Sequence, residues 1–115
     1  YDFICQRGGR VQLAQIEAPP SVWNSPLAVF EDTLAHEQKV TGLINNLVDI
    51  AMSEKDHASY NFLQWYVSEQ IEEEALARSI LDKINLIGND KGGLYLFDRD
   101  VQQITVDSAA GAPGA

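Results

Sequence analysis

Four glutamates, Glu69, Glu72, Glu73 and Glu74, are crowded into the stretch Ser68–Ile80, "SEQIEEEALARSI". An ionised carboxylate only accepts hydrogen bonds, so such a group faces water, pairs with an Arg or Lys of a neighbouring helix, or collects around a multivalent cation. Direction separates the first from the other two. Helical residues advance by about 100° each. Read as a helix, the segment has an apolar stripe of Phe62, Tyr66, Leu76, Ile80, Ile84 and Ile87, with Glu69 and Glu73 inside it. Glu72 falls at the stripe's edge near Trp65, Gln70 on its flank, and Glu74 well away from it. Upstream, Phe30, Leu34, Thr41, Ile44, Val48 and Ala51 form a second stripe with Glu37 at its centre, while His36 is turned off it. Three inward carboxylates on two helices are costly in an apolar interior, and a bound cation relieves both their burial and their mutual repulsion. Oxygen donors without cysteine favour a hard or intermediate metal such as iron or manganese.

The elements that must carry these residues are helices. Ser25-Pro26 is a helix start, a capping hydroxyl followed by proline at the first position, and predicts a helix over 26–53. The link "EKDH" with Asp56 as cap precedes a second helix over 57–87, ended by Gly88. Glu37 lies about as far before the link as Glu73 lies after it, roughly 25 Å along each axis, so an antiparallel hairpin sets them level. Leu94, Phe97, Val101 and Ile104 are at helical spacing and predict a short helix over 94–104. Residues 7–25, with Pro19-Pro20, read as an extended crossover, and the tail over 105–115 as disordered. The chain opens "YDFICQRGG" without Met, which reads as the end of a helix begun further upstream. A crossover long enough to span a long helix makes the expected wiring a four-helix bundle with one long connection. Residues 1–104 would be its C-terminal portion, and a complementary N-terminal half would bring the first two helices.

Composition narrows the function classes. The 115 residues are 45% hydrophobic and carry a formal net charge of −9. That acidity argues against nucleic acid or an anionic membrane as partner, since both demand a basic surface. No apolar run is long enough to span a bilayer. The single cysteine, Cys5, excludes an internal disulfide and fits a reducing compartment such as the cytoplasm. His36 and His57 read as surface or capping residues, and Trp65 and Tyr66 as core packing.

With those residues argued, "NFLQWYVSEQIEEEALARSILDKI" together with "FEDTLAHEQKVTGLINNLVDIAMSEKD" closely resembles bacterial non-haem ferritin, and "GLYLFDRDV" resembles that family's short fifth helix. The resemblance implies an all-α, ferritin-like four-helix bundle assembled as a homo-oligomeric 24-mer cage. It also implies oxidation of Fe(II) to Fe(III) by O2 or H2O2 at a di-iron ferroxidase centre, with mineral stored inside. Glu37 stands where the family has its third-helix iron ligand, and Gln70 and Glu73 at fourth-helix positions of that centre. Glu69, Glu72 and Glu73 stand where bacterial members build a third iron site beside it. The role of Gln70 comes from the resemblance alone. Gln70-x-x-Glu73, in place of Glu-x-x-His, points to the branch without haem. The first-helix glutamate and the second-helix Glu-x-x-His have no counterpart in the chain. The competing reading is a trimmed or split structural subunit that assembles but does not oxidise iron alone. A further alternative is a hairpin dimer with its own symmetric carboxylate site.

Overall fold

The computed structural model describes residues 1–104; the tail over 105–115, expected to be disordered, lies outside the described residues. Four helices and no strand occur among the described residues: α1 (Asp2–Gln6), α2 (Pro26–Ser53), α3 (His57–Ile87) and α4 (Lys91–Val101).

Local chemistry sets the ends of the long pair. Ser25 accepts the amide hydrogen of Ala28 at 3.1 Å, and Pro26 starts α2 where a missing N–H costs nothing. At the other end, the Lys55 amide donates to the Met52 carbonyl and the Asp56 amide to that of Ala51. This double closure is a Schellman motif, and it puts Lys55 in the left-handed region at φ 56. Asp56 then caps α3 by accepting from the Ser59 amide at 3.1 Å and the Ser59 hydroxyl at 2.7 Å. Gly88, at φ 58, ends α3 in a conformation that side chains disfavour.

The short turn folds α3 back antiparallel on α2. Their seam runs through Gln70, Ala77 and Ile84 on α3, at i, i+7 and i+14, with Ala51 buried on α2. The main apolar core lies at the end remote from the link, where Ile80, Ile84 and Phe97 pack with Leu27, Phe30, Leu76 and Leu94. Phe30 meets Phe97 edge-on at 5.5 Å between ring centroids.

The short terminal helix sits earlier than its apolar spacing suggests: Lys91–Val101 rather than 94–104. The spacing of Leu94, Phe97, Val101 and Ile104 marks the buried face, whereas the start is set by Asp90, whose carboxylate accepts from the Gly93 amide at 2.6 Å. A Cβ at Gly93 would meet Ile87 at 2.8 Å, so this glycine lets α4 fold tightly over the end of α3. Ile104 lies beyond the helix yet still packs on the core.

At the link end, Phe3 stacks on Phe62 at 4.1 Å, and Arg7 donates to Asp56 at 3.0 Å. Residue 7 lies level with the turn and residue 3 above it, so α1 points toward the turn, parallel to α2. The crossover from there must traverse the hairpin to reach Ser25, beside Ile84 and Gly88 at the far end.

Candidate metal centre

Midway along the hairpin the seam turns polar. Gln70 is the one buried polar side chain among the described residues, 8% exposed. Its amide nitrogen donates toward the backbone carbonyl of Glu37 at 3.1 Å, the Glu37 carboxylate at 3.2 Å and the Thr41 hydroxyl oxygen at 3.3 Å. A buried amide without such partners would carry a desolvation penalty of about 1–3 kcal/mol. Here α2 satisfies the donor completely, and the hydrogen bond draws the Glu37 carboxylate to the level of Gln70.

Glu73, three residues further along α3, is half-buried on the same level. Its pKa is raised above the model-compound value of 4.5, first by loss of water and then by the charges of Glu37, Glu69 and Glu72. The repulsion from Glu37 crosses from one helix to the other. Glu37 and Glu69 are half-buried and Glu72 is exposed. The five residues named as ligands, Glu37, Glu69, Gln70, Glu72 and Glu73, therefore share one stretch of the hairpin. Among the described residues, however, no three His, Cys, Asp or Glu side chains converge closely enough to hold an ion by themselves. The donors are all oxygens, carboxylates with one amide, which is the set a hard or intermediate cation takes.

Two orientations differ from those read off the helical wheel. Gln70 does not lie on a flank but at the centre of the α2–α3 seam. Glu74 does not point away into water: it accepts from the Thr41 hydroxyl at 2.6 Å and pairs with Arg78 one turn on. The cause is that α3 has two inward faces. Gln70 meets α2 through Glu37 and Thr41, while Ile80 and Ile84, on the stripe that carries Glu69 and Glu73, share the core cluster with Leu27 and Phe30 of α2. Thr41 and Arg78 thus join the site region unannounced. The repeat of small or neutral residues at Gln70, Ala77 and Ile84, every seventh position, was the available sign of this second face.

Comparison with known proteins agrees with this architecture. The ferritin family profile, described as a ferritin-like domain, matches residues 1–87. The bacterial non-heme ferritin of Campylobacter jejuni is 46% identical over 104 residues, covering 90% of this chain and 62% of that protein. That of Escherichia coli O6:H1 is 39% identical, covering 90% and 63%. A crystal structure of an open pore ferritin from the hyperthermophilic archaeon Archaeoglobus fulgidus superposes with a TM-score of 0.87 at 54% identity, covering 90% of this chain and 64% of that one. The chain thus spans under two thirds of the length of these relatives. Helix order, the carboxylate-bearing hairpin and these similarities together show that the chain belongs to the ferritin-like domain family.

Proposed function

We propose that this chain contributes to iron storage by supplying half of a di-iron centre at which Fe(II) is oxidised to Fe(III). The observation that carries this reading is the Glu37–Gln70 hydrogen bond between α2 and α3 at the level where Glu37, Glu69 and Glu72 all repel Glu73. Carboxylates so placed favour a multivalent cation, because its charge offsets both desolvation and repulsion. In this reading Glu37, Gln70 and Glu73 bind the iron that is oxidised, and Glu69, Glu72 and Glu73 form a third iron site beside it. Two Fe(II) held close together each give up one electron to a two-electron oxidant, O2 or H2O2. The role of the protein is to set their spacing and leave room for the oxidant. The remaining ligands come from two further helices, and the complete subunits assemble as a hollow homo-oligomeric cage of 24 in the cytoplasm. No haem is needed.

Fe(II) oxidation in the assembled protein, containing those two helices, tests the assignment. Glu37→Ala and Glu73→Ala should each slow the first oxidation about tenfold or more, while Glu69→Ala and Glu72→Ala should change later turnover. Equal initial rates for all four variants would sink it. A second reading is favoured by the incomplete donor set within this hairpin: a structural shell subunit that assembles but does not oxidise iron on its own. Oxidation by the assembly that contains the two further helices supports the first reading, and an assembled shell with those helices that does not oxidise Fe(II) supports the second.

A further inference from the structure

The head of Gln70 carries a carbonyl oxygen and an amino group on one plane, and only the oxygen can bind a cation. Which atom faces outward from α2 therefore matters to any site shared with Glu37 and Glu73. Three atoms of α2 crowd its nitrogen: the Glu37 carbonyl oxygen at 3.1 Å, Glu37 Oε2 at 3.2 Å and Thr41 Oγ1 at 3.3 Å. The first two can only accept. The third could donate or accept, and its role is settled one step further out.

The Thr41 hydroxyl has one proton and two acceptors in reach, Glu74 Oε1 at 2.6 Å and the Glu37 carbonyl at 3.1 Å. A carboxylate at the shorter distance is the stronger acceptor. With its proton on Glu74, Thr41 can only accept from Gln70. Glu74 is itself held through its other oxygen by Arg78, and these groups line a cleft on the outer side of the hairpin. The links run Arg78, Glu74, Thr41, Gln70, Glu37: Glu74 accepts from both Arg78 and Thr41, and Gln70 donates to both Thr41 and Glu37.

The geometry points to Thr41, backed by Glu74 and Arg78, as a positioning residue that locks the Gln70 amide so that Nε2 stays on α2 and Oε1 is the atom offered to a cation. This inference deepens the proposed function and rests on its placing of Gln70 at the metal centre. Reversing the amide would set Oε1 against the Glu37 carbonyl and carboxylate, and would leave the Thr41 oxygen without a donor. Once a cation draws on the Glu37 carboxylate, Thr41 and the Glu37 carbonyl are the anchors that remain for Nε2.

The test uses the assembled protein and Co(II), a cation that O2 does not turn over there, titrated by its visible absorption. Thr41→Val keeps the shape and removes the hydroxyl; Thr41→Ser restores the hydroxyl. The expected result is Co(II) binding about tenfold or more weaker for Thr41→Val, with an altered spectrum, and about wild-type binding for Thr41→Ser. Melting of the metal-free variants accompanies the titration, since a purely structural role would lower the melting temperature without changing the affinity of the folded protein. Unchanged Co(II) affinity in Thr41→Val, or no rescue by Thr41→Ser, overturns the inference while leaving a metal centre that Glu37→Ala abolishes. No Co(II) binding by the wild-type assembly overturns the metal-centre reading and this inference together.

Discussion

Glu73 is where burial and like charge meet. Its folded-state pKa lies above 4.5 because water is partly excluded and Glu37, Glu69 and Glu72 stand nearby. The folded chain therefore holds that proton more tightly than the unfolded chain does. Between the two pKa values folding takes up protons, so stability falls as pH rises through that window, and the full penalty applies above the folded pKa. Glu73→Gln removes the charge. It should raise the melting temperature of the metal-free protein at neutral pH, and this advantage should vanish at pH well below 4.5, where the unfolded-state glutamate is itself protonated. Melting curves across that range check it; an equal gain at both extremes would assign the effect to packing instead. Proton and cation compete for this carboxylate, so metal binding here should weaken as pH falls.

Between the helices, the turn carries a small, identifiable strain. Lys55 occupies a left-handed position that closes α2 and starts α3, a place where glycine is the usual residue. Lys55→Gly should stabilise the protein by about 0.5–1 kcal/mol, the relief of side-chain crowding being partly offset by the added freedom of the unfolded chain. Chemical denaturation is the measurement, and a loss of stability would show that the lysine side chain itself holds the turn. Much of this element-level structure could be read directly from residues: Ser25-Pro26, Asp56 and Gly88 are end signals whose action is local. The start of α4 was harder, because the apolar residues from Leu94 onward report which face is covered, whereas Asp90 reports where the helix begins.

At the scale of the whole molecule, the hairpin leaves apolar surface uncovered. Leu43, Leu47 and Ile50 lie at i, i+4 and i+7 on α2 and remain about half exposed, outside the seam with α3. Two helices cannot enclose both faces, so that stripe and the Glu69–Glu73 face fit additional helices. The proposed assembly makes a direct prediction for native mass. A shell-sized particle whose denatured components include the complementary helices supports a complete centre. A small oligomer of this chain alone would mean that the carboxylates lack partners, and the oxidation reading would then fail for this chain. Among the described residues no helix is long and apolar enough to cross a membrane.

Residue types and spacing determined by themselves the helical class, the antiparallel hairpin and the level at which Glu37 and Glu73 meet, because each follows from local periodicity, capping and a rise of about 1.5 Å per residue. Tertiary structure alone decided which face of α3 meets α2. Helical spacing assigns angles relative to the helix's own axis and contains no reference to a neighbour's position, so Gln70 and Glu74 looked peripheral although α2 closes directly over both. The hydrogen-bonded line from Arg78 to Glu37 exists only once α2 lies against α3, because Thr41 and Gln70 are 29 residues apart in sequence.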